Sequence, residues 1–142
     1  MLKYVSDLMT PDPLCISQTD SLKVAHDLMR EKNIRHIPII DNQGQLQGML
    51  TQKIMIANVM KILATYGQLA LERKEKQQKA QEVMATDFVA VRPDEKLKDV
   101  ATYFVKNRHG CLPVVTEDGK LQGIITSSDF VRLAAALLGS EG

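Results

Sequence analysis

Apolar residues along this chain fall into two patterns. Short continuous runs bounded by polar turn residues predict strands: Leu14-Cys15-Ile16, His36-Ile37-Pro38-Ile39-Ile40, Val89-Ala90-Val91 and Cys111-Leu112-Pro113-Val114-Val115. Elsewhere apolar residues recur every three or four positions, as in Leu22, Ala25, Leu28 and Met29, and again in Leu97, Val100, Ala101 and Phe104. That spacing predicts amphipathic helices. Asp20 and Asp94 precede the two helices and are expected to cap them or favour their N-terminal dipoles. Pro38 and Pro113 each remove a ladder donor, which places them at a strand start or on an edge. Asp41-Asn42-Gln43-Gly44 and Glu117-Asp118-Gly119 read as hairpin turns with glycine at positive φ. A further strand then runs directly into a second helix, once at Gly48–Ile54 and once at Gly123–Asp129.

These elements are the same set twice. Met9 matches Met84, Leu22 matches Leu97, Pro38 matches Pro113, Gly44 matches Gly119, and Leu46-Gln47-Gly48 matches Leu121-Gln122-Gly123. The offset is 75 throughout, from Met9 to Met84 and from Thr51 to Thr126 alike, so the alignment needs no gap. Residues 5–56 and 80–131 are therefore duplicated halves, each ordered strand, helix, strand, strand, helix. The expected class is α+β, with small sheets and helices. Each half is near the lower limit of independent stability, so the halves are expected to pack about a pseudo-twofold axis. The expected division is a first repeat at 1–65, a helical linker at 66–81 and a second repeat at 82–142.

From Gln52 to Gln81 there is no proline, and Met55, Val59, Ile62, Leu63, Tyr66 and Leu69 mark one apolar face. A long helix is expected, with a bend at Gly67, ending in the charged run Glu72–Lys79. It reads either as a solvated connector or as a projecting helix for self-association or partner contact.

Composition narrows the function classes. In 142 residues, 44% hydrophobic and 25% charged content is ordinary for a globular protein, and the formal net charge of +1 speaks against nucleic-acid binding through phosphate neutralisation. Asp7 interrupts the only candidate signal-peptide core, and no run reaches the roughly 18 apolar residues of a membrane span. A cytoplasmic location without nucleic-acid or membrane partners is expected. Cys15 and Cys111 lie in apolar runs and read as free thiols rather than a disulfide.

The two halves differ at one chemically important position. Gly123-Ile124-Ile125-Thr126-Ser127-Ser128-Asp129 places a carboxylate in the first turn of a helix, whereas the copy Gly48–Ile54 ends in isoleucine. A carboxylate there can accept charge-assisted hydrogen bonds from both hydroxyls of a ribose, beside helix amides that attract anions. The same Thr126-x-x-Asp129 spacing also fits a capping box. Both roles are open to Asp129.

The duplicated order, the Met-Thr and Met-Ala pairs before the first strands, Arg35-His36-Ile37-Pro38 and Gly-x-x-Thr-x-x-Asp together resemble a tandem pair of cystathionine-β-synthase-type (CBS) domains, or Bateman module. The resemblance covers nearly the whole chain, and Met1 at its start points to the stand-alone members. It implies a non-catalytic regulatory, energy-sensing module that binds an adenosine-containing ligand in a cleft between repeats and passes a conformational change to a partner. AMP, ADP or ATP head the implied ligands, with or without Mg2+, followed by S-adenosylmethionine and NAD. A homodimer and an effector protein of unknown identity are also implied. Carried over by motif, Asp129 is the ribose ligand, with Thr126 and Ser128 beside it and Ile124 against the base. Leu14, Ile34 and Arg35 would face it from the first half, and Arg35 with His36 would lie near phosphates. The other cleft lacks its aspartate, and Gly110 and Cys111 stand where Arg35 and His36 would recur, so one occupied site per chain is expected. Arg108 and His109 are adjacent as partial substitutes.

Other classes find less support. There is no glycine-rich phosphate loop and no nucleophilic triad, and Cys15 and Cys111 lack a setting that would activate a thiolate. His109, Cys111 and His36 have no metal-ligand spacing, and His26 is expected on a helix surface. The competing reading is an interaction or oligomerisation module with vestigial nucleotide pockets.

Overall fold

Turn chemistry and apolar period together decide where each element begins. The computed structural model describes residues 2–139. In chain order these form α1 (Val5–Leu8), β1 (Thr10–Pro11), β2 (Ile16–Ser17), α2 (Leu22–Lys32), β3 (His36–Ile40), β4 (Leu46–Thr51), α3 (Gln52–Tyr66), a 3-10 turn (Gln68–Ala70), α4 (Leu71–Gln77), α5 (Ala80–Val83), α6 (Leu97–Lys106), β5 (Cys111–Val115), β6 (Leu121–Thr126) and α7 (Ser127–Gly139). The class is α+β, with two three-stranded sheets ordered β2-β3-β4 and β1-β6-β5.

Both hairpins form as the turn residues require, with Gly44 at φ 80° and Gly119 at φ 84°. β3 pairs antiparallel with β4 and β5 with β6, and both ladders shift register at equivalent points, Ile39/Ile40 and Val114/Val115. The first strands are shorter than expected. In the first half the pairing begins at Ile16, and in the second it shrinks to one parallel bridge between Val91 and Val114. The expected aspartate caps are also absent, because the helices start later. Ser21 caps α2 by accepting from the Val24 amide, while Asp20 accepts from the Ser17 amide at 2.8 Å. α6 starts after Lys96 without a side-chain cap, two residues past Asp94.

The compact units are cut differently from the sequence repeats. One comprises residues up to Pro13 together with those from Val89 onward, and the other runs from Leu14 to Phe88. The segment leading into each repeat thus docks on the strands of the other copy. In the first unit, Thr10 pairs antiparallel with Ile124. In the second, Ala85 and Met49 exchange backbone hydrogen bonds of 2.9 Å at the positions 75 residues away. Val5 is fully buried among Val91, Leu97, Val100, Leu112, Val114 and Ile125. Ala80, its counterpart, is fully buried with Ile16, Leu22, Ile37, Ile39 and Leu50.

This docking explains two of the matched glycines. A Cβ on Gly48 would come within 2.5 Å of the Met84 sulfur and 2.8 Å of the Ala85 carbonyl. One on Gly123 would come within 2.8 Å of the Met9 sulfur and 2.7 Å of the Thr10 carbonyl. The matched methionines and glycines are therefore the two sides of one repeated crossing, where only a residue without Cβ lets the backbones approach.

The expected long connecting helix does not form. Gly67 adopts φ 83° and ψ 170°, a conformation glycine tolerates and other residues rarely adopt, and α3 ends there. The chain folds back, so that α4 packs on α2 and α3 rather than projecting. Lys74 Nζ lies 3.9 Å from the Tyr66 ring centroid, and the side chains of Asn58 and Gln78 pair through two hydrogen bonds, of 2.9 and 3.3 Å. Within the charged run, Glu75 is buried to 2% exposure, and both its oxygens lie 3.0 Å from His26 Nδ1. Glu75 thus departs from the solvated run expected, whereas Glu72, Arg73, Lys76, Gln77 and Lys79 are exposed and His26 stays partly exposed on α2: a carboxylate taken out of water keeps a charged or polar partner.

Candidate functional site

β6 hands the chain directly to α7, and the junction is held by short-range hydrogen bonds. Thr126 Oγ1 accepts from the Asp129 amide at 3.2 Å, and Asp129 Oδ2 accepts from the Thr126 amide at 2.8 Å. This reciprocal pair is a capping box with aspartate in place of glutamate. The remaining oxygen, Oδ1, accepts from the Arg132 guanidinium one turn along. The Asp129 side chain is only 5% exposed, whereas that of Arg132 is 70% exposed. The Ser127 amide donates to the Gly110 carbonyl at 3.1 Å, tying the helix start to the residue before β5. Ser128 is exposed on the first turn, and Ile124 is half-buried in β6 opposite Pro113.

Cys111, opposite Thr126 in the ladder, is buried. Burial, reinforced by the Asp129 charge, pushes its thiol pKa up to about 12. It stays protonated at neutral pH and cannot act as a thiolate nucleophile there. Cys15 is half-buried and free, and burial raises its pKa too.

The other unit repeats the backbone design with different side chains. Thr51 Oγ1 accepts from the Ile54 amide at 3.1 Å, and the Gln52 amide donates to the Arg35 carbonyl at 2.9 Å. These bonds match the second copy atom for atom at the 75-residue offset, but Ile54 packs against the apolar core instead of returning a carboxylate. Arg35 is exposed at the start of β3, and His36 pairs with Thr51 across the ladder. Burial, helped by the Arg35 charge, lowers the His36 pKa. At neutral pH His36 is thus a neutral hydrogen-bonding group, and the positive charge of the pair resides on Arg35. Ile34 is half-buried against the core, while Leu14 is 48% exposed before β2.

The structure thus joins Thr126 to Asp129 by hydrogen bonds and sets Ser128 and Ile124 on the same junction. Leu14, Ile34, Arg35 and His36 belong to the other unit. His109 is engaged by the Tyr103 hydroxyl at 2.7 Å. Arg132, which the sequence reading did not single out, joins this junction through Asp129. Its signal was the three-residue spacing from Asp129, which brings two side chains together on one helix face.

Comparison with known proteins agrees with this duplicated design. The CBS domain family matches residues 5–61 and 80–136. A crystal structure of a Vibrio cholerae protein named for acetoin utilization (AcuB) superposes with a TM-score of 0.84 at 37% identity, covering 99% of this chain and 98% of that one. The protein CBSX2 in complex with AMP gives a TM-score of 0.77 at 28% identity, over 94% and 97% of the two chains. A CBS domain pair in complex with 5′-methylthioadenosine and S-adenosyl-L-methionine gives 0.73 at 26% identity, over 96% and 98%. Among curated sequences, an uncharacterized protein of Methanocaldococcus jannaschii is 29% identical over 137 residues, 96% of this chain. The chain spans 43% of that relative's length and 24% of a homoserine O-acetyltransferase of Methanohalobium evestigatum. Two matched copies with the same backbone design establish that the chain belongs to the CBS domain family as a tandem pair.

Proposed function

We propose that this CBS pair is a non-catalytic sensor of an adenosine-containing ligand, with AMP, ADP or ATP the favoured class. The observation that carries the reading is the likeness, over nearly the full length of each chain, to CBS pairs whose structures contain AMP or S-adenosyl-L-methionine. The capped, buried Asp129 at the head of α7 supplies an acceptor for ribose hydroxyls. Thr126 and Ser128 are assigned to polar contacts near the ribose and Ile124 to the base. From the first half, Leu14 and Ile34 are assigned to the base and Arg35 and His36 to phosphates, with Arg35 supplying the charge. Because Ile54 packs against the core and offers no carboxylate, only one adenosine site per chain is proposed. Ligand binding would shift the population of conformers that a cytoplasmic effector protein reads, within a homodimer. Mg2+ would enter only with a bound phosphate chain.

The test is thermal unfolding with adenosine, AMP, ADP, ATP, S-adenosylmethionine and NAD. A ligand at about 100 times its Kd should stabilise the fold by roughly 2.7 kcal/mol, and Asp129→Ala should remove that gain. Calorimetry should give one site per chain. No shift with any of these ligands at millimolar concentration would favour the second reading, an interaction module. That reading is supported by the solvent-facing apolar residues Ile56, Met60 and Leu63 on α3.

A further inference from the structure

Both oxygens of the Asp129 carboxylate are already engaged. Oδ2 belongs to the capping box and Oδ1 to Arg132, leaving the side chain 5% exposed. Surrendering Oδ2 would give up half of the capping box at the start of α7, whereas the Arg132 contact is held by a side chain that is 70% exposed. Oδ1 is therefore the oxygen that can change partners. Resting on the ribose reading above, we propose that Arg132 is a specificity residue that holds Oδ1 of the ribose acceptor in the empty protein and competes with the incoming sugar for it.

Displacement has different consequences for different ligands. A neutral nucleoside takes Oδ1 and leaves the guanidinium without its anion. A nucleotide brings an anion of its own, and a planar guanidinium one turn into α7 can exchange the carboxylate for a phosphate. The positive helix start beside Ser127 and Ser128 favours the same charge. Arg132 would therefore select anionic adenosine ligands over adenosine, and Ile54 in the other half leaves no equivalent exchange there.

The experiment is calorimetric titration of adenosine and AMP into the wild type, Arg132→Ala, Arg132→Lys and Asp129→Ala, each first shown folded by its melting transition. Arg132→Ala should bind adenosine about threefold tighter, the size of a released, partly exposed ion pair. Its preference for AMP over adenosine should fall by about tenfold or more, with Arg132→Lys intermediate. An unchanged AMP-to-adenosine ratio in Arg132→Ala, with binding lost in Asp129→Ala, overturns the role of Arg132 and leaves the ribose reading standing. Wild-type binding of both ligands by Asp129→Ala, or no binding by any variant, overturns both.

Discussion

At the residue scale, one carboxylate fits two tasks whose sequence signatures coincide, a helix cap that forms and the ribose acceptor proposed above. Thr126 and Asp129 fit a helix cap and a ribose acceptor equally well, and the folded chain gives Oδ2 to the cap and Oδ1 to Arg132. His36 shows the same dependence on surroundings. Arg35-His36 reads as a basic pair, yet burial and the adjacent Arg35 charge favour the neutral imidazole. Protonation of the unfolded chain near the ordinary histidine pKa of about 6.5 then draws the equilibrium away from the fold. Stability present above that pH is lost as pH falls towards the folded-state value. Melting curves between about pH 7.5 and about pH 5.5 should show a smaller drop for His36→Gln than for the wild type. Equal drops would show that His36 titrates alike in both states.

At the element scale, the connection between the repeats is decided by one glycine and one buried carboxylate with its partner. Apolar spacing from Met55 to Leu69 fits a continuous helix, but Gly67 turns the chain back so that Glu75 meets His26 on α2. The two partners are unequally buried, with side-chain exposures of 39% for His26 and 2% for Glu75. Removing one therefore differs from removing the other. His26→Ala strands a buried carboxylate and should cost about 3 kcal/mol or more. Glu75→Ala leaves an imidazole that water can reach and should cost less, about 1–2 kcal/mol. Urea unfolding of both variants checks the order, and the reverse ranking would mean that Glu75 has other support.

At the scale of the whole molecule, the repeats written in the sequence and the units formed in space are not the same. Residues up to Pro13 complete the sheet and core of the second copy, and Ala80–Phe88 complete those of the first. Deleting residues 2–11 should therefore destabilise the unit holding Asp129, although the deletion lies in the first repeat. Val5 alone contributes roughly 1.5–3 kcal/mol by burial, and the backbone pairing of Thr10 is lost with it. Amide exchange should accelerate in β5 and β6 while β3 and β4 stay protected. Faster exchange in β3 and β4 instead would contradict this division.

The duplication, both hairpins, the amphipathic α2 and α6, and the strand-to-helix turn at Asp129 are legible in the order of residues alone. All of these rest on local period, turn chemistry or a constant offset. That order did not determine which copy each leading segment joins, because Met9 and Met84 match and Gly48 and Gly123 offer the same crossing. Chain length resolves that choice only in three dimensions. The six steps from Thr10 to Ile16 reach about 20 Å at most, and three strand spacings consume about 14 Å of that, leaving little to turn out of one strand and into another across the same sheet. Pairing with the other copy's strand avoids that crossing. Tertiary structure likewise decided the fold-back at Gly67, the burial of Glu75 and the neutral state of His36. It also decided the burial of the Asp129 carboxylate and its pairing with Arg132, because solvent exposure and partners come from contacts that sequence spacing does not record.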